Sequence, residues 1–264
     1  MRFVKGHGTE NDFVILPDPG GSLDLTPELV RAICDRRAGV GADGVLRVVR
    51  SKALGRDGDP EWFMDYRNAD GSIAEMCGNG VRVFARYLVE TGLAVPGELA
   101  VGTRGGARAV RLGPSGDVTV DMGAPRTLGE SRAVVAGRAY DGLGVAVGNP
   151  HLACPITSPV AELDLTRAPE VDAALFPDGV NVELFRVLGP GRVEMRVHER
   201  GSGETRSCGT GAVATAVAAA RVEGRAEGSW EIAVPGGVVT VILDGVTSYL
   251  RGPAVLVAEG DIHL

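Results

Sequence analysis

Residues 197–220 read V-H-E-R-G-S-G-E-T-R-S-C-G-T-G-A-V-A-T-A-V-A-A-A. A polar, glycine-broken loop leads to Cys208, and the small residues after Gly211 predict a helix to Arg221, with Gly224 as its stop. Cys208 is therefore predicted at a helix N-terminus. Unpaired backbone N–H groups and the positive end of the helix dipole favour a thiolate there and also form a site for a carboxylate. The stretch therefore predicts a reaction next to a bound carboxylate group.

The same arrangement recurs about half a chain length earlier. Residues 70–87 read D-G-S-I-A-E-M-C-G-N-G-V-R-V-F-A-R-Y, so that Cys77 also follows a polar loop and precedes Gly-x-Gly and a helical pattern. Two unrelated buried cysteines are one alternative, because free cysteine is commonly a small core residue. A dinucleotide fingerprint is another, since G-T-G-A-V-A fits G-x-G-x-x-A. That motif needs a strand directly before the turn, and here a long polar loop intervenes.

Composition limits the classes of function. A net charge of −7 and the lack of any Lys/Arg-rich tract argue against a nucleic-acid partner. The N-terminus is too short and polar for a signal peptide, and no apolar run reaches the roughly 18 residues that a membrane span requires. Four cysteines in 264 residues are not a disulfide framework. We therefore expect a cytoplasmic protein with neither a nucleic-acid nor a membrane partner.

No cofactor is expected. The only lysines are Lys5 and Lys52, and neither has the context of a Schiff-base lysine. The four histidines form no H-x-x-x-H or Cys/His spacing, so the sequence predicts no metal site. Proton chemistry in this chain must then be done by ordinary side chains.

The pattern of elements predicts an α+β protein in which each half has many short strands around one long helix. A further helix is predicted over residues 26–37, with Thr26 as its N-cap and Pro27 at the first helical position. Residues 160–169 and 171–176 suggest a helix pair or a loose helix. The domain boundary is predicted near residues 114–117, giving domains 1–116 and 117–254, with a final strand at about 255–264 returning to the first.

Several motifs, in the right order and from end to end, resemble the diaminopimelate epimerase family. They are H-G-T-E-N-D-F, N-A-D-G-S…M-C-G-N-G-V-R, G-N-P-H, G-V-N-V-E, E-R-G-S-G-E-T-R-S-C-G-T-G and a late P-G-G. The resemblance implies two similar domains, each a strand-rich, barrel-like sheet wrapped around a central helix, with the active site in the cleft between them. It also implies a homodimer. The implied reaction is pyridoxal-independent interconversion of LL- and meso-diaminopimelate, for lysine and peptidoglycan precursor synthesis.

The resemblance assigns roles to particular residues. Cys208 is the base and Cys77 the acid in the LL-to-meso direction, while His151 and Glu199 set thiol ionisation. The α-carboxylate is held at the two helix ends, by Gly78, Asn79, Gly209 and Thr210. The far end of the substrate is contacted by Asn11, Asn68, Asn149, Asn181, Glu199 and Arg200. One departure is Gly44, where many members carry Gln, so that a substrate contact there is backbone-only or absent.

The chemistry of inversion agrees with these roles. One group must remove the α-proton and another must deliver a proton to the opposite face, and two thiols supply that symmetry. Helix N-terminal N–H donors can stabilise the developing charge, and a thiol pKa near 8.5 is close enough to neutral to be tuned.

Rival interpretations remain. Proline or hydroxyproline racemases also use two thiols, but typically carry His where this chain has Asn79. Isomerases of the phenazine-biosynthesis type lack the cysteine pair. A thiol redox protein is disfavoured because no C-x-x-C is present. A cysteine hydrolase or a non-catalytic binding protein leaves the second helix-capping cysteine without a role.

Overall fold

The computed structural model describes residues 1–113 and 116–263. The chain divides into two compact units: the first is Met1–Val120 with Gly252–Leu264, and the second is Asp121–Arg251. Residues 114 and 115, on which part of the predicted boundary at 114–117 falls, lie outside the described residues. None of the described helices is long and apolar enough to cross a bilayer.

The elements alternate short strands with three helices. In chain order they are β1 (Arg2–Gly8), β2 (Asn11–Pro17), α1 (Pro27–Cys34), β3 (Gly44–Arg50), β4 (Trp62–Asn68), α2 (Gly78–Glu90), β5 (Glu98–Val101), β6 (Arg108–Leu112), β7 (Val118–Gly123), β8 (Arg126–Val135), β9 (Arg138–Ala146), β10 (Pro150–Pro155), β11 (Glu170–Val171), β12 (Asn181–Gly189), β13 (Arg192–Glu199), β14 (Gly203–Thr205), α3 (Gly209–Val222), β15 (Gly228–Val234), β16 (Gly237–Leu243), β17 (Ser248–Gly252) and β18 (Val255–Asp261).

The first unit is built around α2. Its main sheet has the order β18-β1-β2-β3-β4, and β5, β6 and β7 form an antiparallel ribbon. Helix α2 contacts β1 to β6 and β18, and ten of its 13 residues are buried. A surface helix buries only one stripe, so α2 is the centre of this unit. The predicted cap of α1 is confirmed, because Thr26 accepts a hydrogen bond from the N–H of Leu29 at 3.2 Å.

The second unit repeats this plan around α3. Its strands run β11-β8-β9-β10-β12-β13-β15-β16-β17, with β14 paired to β13. Helix α3 contacts β9, β10, β12, β13, β15 and β16, and ten of its 14 residues are buried. Alanine and glycine make up most of α3, and these small side chains let strands approach it from several sides. The α+β class and the strand-rich units around central helices are thus confirmed.

The two units also share a strand register. In the first, β2 runs parallel to β3 with Phe13 opposite Gly44, and Val45 of β3 lies opposite Arg67 of antiparallel β4. In the second, β10 runs parallel to β12 with His151 opposite Asn181. Val182 of β12 then lies opposite His198 of β13. Each unit therefore presents a parallel pair and an antiparallel third strand to the start of its helix.

The helical prediction for residues 160–176 is wrong. The structure has a 3-10 turn at Val160–Glu162, an irregular segment and the two-residue strand β11. Val160, Leu165 and Phe176 are buried in one apolar cluster with Val182 and Leu184 of β12. They pack as single side chains of a segment that forms no α-helix.

Candidate active site

Cys208 caps the N-terminus of α3, as predicted. Its Sγ accepts a hydrogen bond from the N–H of Gly211 at 3.4 Å and lies 3.5 Å from Oγ1 of Thr210. Only 6% of the residue is exposed. The polar loop that precedes Cys208 includes β14, which pairs with β13 in a short hairpin. This hairpin leads into the buried N-terminus of the helix.

His151 and Glu183 lie beside this thiol. The Nδ1 atom of His151 is 2.7 Å from Oε1 of Glu183, and both side chains are fully buried. The Nε2 atom of His151 is 3.0 Å from Oδ1 of Asn149. One polar atom each from His151, Glu183 and Cys208 all lie within 4.8 Å of one another. The structure therefore joins predicted residues to a carboxyl group that the sequence analysis did not select.

Burial dominates the ionisation of this cluster. It raises the pKa of the Cys208 thiol well above its ordinary range, and the negative charges of Glu199 and Glu183 raise it further. Hydrogen bonds from Thr210 and from the Gly211 N–H act in the opposite direction. The thiolate preference expected from the helix end alone is therefore outweighed at Cys208. Burial also raises the pKa of Glu183, which His151 lowers in part.

The remaining predicted residues of the second unit form a polar edge. The Nδ2 of Asn181 donates to the carbonyl of Pro150 at 3.1 Å, and its Oδ1 accepts from the backbone N–H of Arg200 at 2.9 Å. The Arg200 guanidinium donates to the carbonyl of Asp178 at 2.8 Å. Glu199 accepts a hydrogen bond from the Thr205 hydroxyl. Asn181 thus sets the backbone position of Arg200, whose side chain is exposed.

Cys77 occupies the matching place in the first unit. It caps α2, and its Sγ accepts from the N–H of Gly80 at 3.4 Å. The Sγ lies 3.7 Å from Oδ1 of Asn11, which also accepts from Nδ2 of Asn79 at 3.2 Å. Asn11 in turn donates to Oδ2 of Asp43 at 2.8 Å. Three predicted residues therefore meet at this helix end.

Arg82 is a buried cation below the start of α2 that the sequence analysis missed. Its guanidinium donates to Oδ1 of Asn79 at 2.5 Å, to Oγ1 of Thr9 at 3.2 Å and to the carbonyl of Pro253 at 2.8 Å. Burial lowers the pKa of Arg82 to about 10, and the Cys77 charge opposes that fall. The helical periodicity of V-R-V-F placed Arg82 on α2 but could not show that it points inward.

Asn68 and Gly44 stand apart from the Cys77 contacts. Asn68 ends β4, and its Nδ2 donates to Oγ of Ser72 at 2.9 Å. A Cβ atom added at Gly44 would lie 2.5 Å from the carbonyl oxygen of Arg67 and 2.7 Å from the Tyr66 ring. This backbone therefore has no room for a side chain such as that of glutamine at residue 44.

Comparison with known proteins places this chain in a family. Residues 3–128 and 144–257 match the sequence profile described as Diaminopimelate epimerase. The chain is 60% identical over 272 residues to a diaminopimelate epimerase of Thermobifida fusca (strain YX), covering 100% of this chain and 98% of the relative. It is 54% identical over 280 residues to that of Rhodococcus opacus (strain B4), covering 99% and 97%.

Solved structures match the fold at low sequence identity. A phenazine biosynthesis protein of the PhzF family from Bacillus anthracis superposes with a TM-score of 0.75 at 17% identity, covering 100% of this chain and 99% of that one. A hydroxyproline epimerase from Agrobacterium vitis gives a TM-score of 0.66 at 14% identity, covering 98% and 91%. These similarities show the two-domain, strand-rich fold.

Proposed function

Because the chain belongs to the diaminopimelate epimerase family, and is thus an isomerase acting on diaminopimelate, we propose that its two thiols, Cys77 and Cys208, carry the proton transfers. Inversion needs an acceptor on one face of the α-carbon and a donor on the other. The observation that carries the proposal is the repeated placement of a cysteine as N-cap of the central helix in each unit.

Each helix end also offers backbone N–H groups to an anion. The positive end of the dipole and the first-turn N–H groups are ordinary carboxylate sites. We infer that Gly78 with Asn79, and Gly209 with Thr210, hold the α-carboxylate and stabilise the charge that develops when the α-proton leaves. The thiol and the charge-stabilising donors then belong to the same turn of the same helix.

Thiol ionisation is assigned to His151 and Glu199. In the LL-to-meso direction we propose Cys208 as base and Cys77 as acid. The raised pKa of the Cys208 thiol means that a neighbouring group must take its proton before it can act as a base. Glu199 is suited to take this proton, since a positioned carboxylate acts as a general base, whereas His151 acts on the ionisation through its buried contacts with Glu183 and Asn149.

The far end of the substrate carries a second ammonium and carboxylate. Arg200 suits the carboxylate because a guanidinium forms planar two-point contacts. Of its five N–H donors, one is used by the Asp178 carbonyl in the described part of the chain. Amide and carboxylate groups are proposed to bind the distal ammonium and to orient the carbon chain of the substrate. They belong to Asn11, Asn68, Asn149, Asn181 and Glu199.

We also propose that the protein is a cytoplasmic homodimer serving lysine and peptidoglycan precursor synthesis. Support for dimerisation comes from β18, an edge strand of its sheet on which Val255 and Val257 are 41% and 54% exposed. Exposed apolar residues on a strand edge are typical of surfaces that pair. Light scattering should give twice the 27.3 kDa chain mass, and a mass of one chain would contradict the dimer.

Activity should need neither pyridoxal phosphate nor a metal. Lys5 forms an ion pair with Asp12 at 2.6 Å, and Lys52 is exposed on a 3-10 turn, so neither is placed as a Schiff-base lysine. Both ring nitrogens of His151 are already hydrogen bonded, which disfavours a metal on the His151–Glu183–Cys208 cluster. Dialysis against a chelator and treatment with a carbonyl reagent should leave turnover unchanged. Activity lost in this way and restored by a metal or by pyridoxal phosphate would refute the thiol mechanism.

A further inference from the structure

Glu183 is a buried carboxyl group to which the proposed proton transfers assign no role. Its side chain is fully buried, and Oε1 contacts Nδ1 of His151 at 2.7 Å. Oε2 has no hydrogen-bond partner among the described residues. A Cβ atom added at Gly211, in the first turn of α3, would lie 2.6 Å from Oε1. Burying a carboxyl group with half its hydrogen-bonding capacity unused is costly, so its presence calls for a reason.

The first unit shows that packing does not require a carboxyl group below the helix start. Gly80 follows Cys77 at the same interval as Gly211 follows Cys208. A Cβ atom at Gly80 would lie 3.3 Å from Cδ2 of Leu46 and 3.6 Å from the Phe13 ring. An apolar pair therefore fills the space below the helix start in that unit.

The strand registers make these two pairs equivalent. Phe13 lies opposite Gly44, and Leu46 is two residues further along the same strand, β3. His151 lies opposite Asn181, and Glu183 is two residues further along β12. The same backbone arrangement thus holds Phe13 and Leu46 in the first unit, and His151 and Glu183 in the second.

The contacts of His151 define where its protons lie. Oδ1 of Asn149 only accepts, so Nε2 of His151 carries a proton. One further proton lies in the 2.7 Å contact between Nδ1 and Oε1 of Glu183. Together the two contacts hold the ring in one orientation, with its Nε2–H directed at Asn149 and the pair within 4.8 Å of the Cys208 thiol.

We propose that Glu183 is a positioning residue for the epimerisation, which fixes the ring orientation and the Nε2 proton of His151 beside Cys208. This inference rests on the proposed function, because it presupposes that Cys208 exchanges the substrate proton. Glu183 acts through His151, by supplying the buried hydrogen bond without which Nδ1 has no partner. Partners that fix a histidine tautomer matter about ten- to a hundredfold in activity where the histidine binds a metal, and the same control of the tautomer applies to an imidazole beside a thiol.

The first test variant is Glu183→Leu, which gives the second unit the residue that the first already carries. Its melting temperature should fall, because removing one partner of the buried pair leaves Nδ1 of His151 without its hydrogen bond, so activity is measured well below that temperature on the folded enzyme. Its kcat should fall about ten- to a hundredfold, with KM within about threefold of wild type. A merely structural role predicts instead that the folded variant keeps the kcat of the wild type.

The second variant, Glu183→Gln, separates hydrogen bonding from packing. Its amide can donate to Nδ1 and preserve the Nε2–H form of His151, so its kcat should exceed that of Glu183→Leu at least about tenfold. Asp18→Asn is the matched control. Asp18 is a buried carboxylate at the opposite end of β2 from Asn11, paired to Arg47 at 2.7 Å. The Asp18→Asn variant should lose thermal stability, while its folded form keeps the kcat of the wild type.

Two results would contradict the positioning role of Glu183. A kcat of Glu183→Leu within about threefold of wild type, or a Glu183→Gln enzyme no more active than Glu183→Leu, would overturn it. If Glu183→Leu does not fold, Glu183→Met, which is unbranched and of similar length, takes its place with the same expectations. A wild-type enzyme that does not epimerise diaminopimelate would instead overturn the proposed function, so the two failures are distinguishable.

Discussion

Cys77→Ser and Cys208→Ser should each lose epimerase activity while remaining folded. Serine keeps the N-cap, since its oxygen can accept the same N–H of Gly80 or Gly211 that the sulfur accepts. A hydroxyl is a far weaker acid than a thiol, whose reference pKa is about 8.5. Proton transfer then fails on one face of the substrate. We expect kcat to fall by about 10²- to 10⁴-fold in each variant.

The two other cysteines provide the control. Burial raises the pKa of Cys34 and of Cys154 to about 12. Both lie in apolar clusters: Cys34, the last residue of α1, lies against β2 and β3, and Cys154 lies beside β12. Cys34→Ser and Cys154→Ser should lower thermal stability and leave kcat of the folded enzyme near wild type. Circular dichroism melts and single-turnover assays on all four variants check this, and full activity of either Cys77→Ser or Cys208→Ser would remove the two-thiol mechanism.

Arg200→Ala should be severely impaired on diaminopimelate, and lysine should be a very poor substrate of the wild type. The helix ends recognise an α-carboxylate, which every amino acid has. Selectivity must therefore come from the far end, where lysine lacks only the second carboxylate. Removing Arg200 leaves the distal carboxylate of the bound substrate without its charged partner, so we expect kcat/KM to fall by about 10²- to 10³-fold.

Arg200→Lys tests the geometry of this contact, because an ammonium keeps the charge but not the planar two-point contact. It should resemble Arg200→Ala more than the wild type. The measurement is kcat/KM for diaminopimelate and for lysine in the wild type and both variants. Racemisation of lysine at the rate of diaminopimelate, or an unaffected Arg200→Ala enzyme, would place the distal carboxylate elsewhere.

Local sequence patterns predicted the local features of the site. The small residues after Cys208 and the apolar period after Cys77 predicted two helices, and the structure has both cysteines as their N-caps. Thr26 and Pro27 predicted the start of α1 in the same way. In each case the determining groups lie within four residues of one another, so propensity and capping chemistry suffice.

The contacts around Cys208 were not predictable in that way. Glu183 and His151 are 32 residues apart and meet only because β10 runs parallel to β12 in one particular register. The alternation N-V-E-L places Asn181 and Glu183 on one face of β12, a signal that could have selected Glu183 once Asn181 was chosen. Burial of Cys208, which opposes the thiolate that its helix end favours, likewise depends on long-range packing.

The most direct test of the two-thiol mechanism is the fate of the α-proton. LL-Diaminopimelate is incubated with the enzyme in deuterated water, and substrate and product are separated by chiral chromatography at low conversion. With one thiol removing the proton and a second delivering another from the opposite face, the meso product should carry one deuterium at the inverted carbon, while the remaining LL substrate stays unlabelled. A meso product that keeps its original proton, or an LL substrate labelled as fast as product forms, would indicate a single group acting on both faces and would contradict the mechanism.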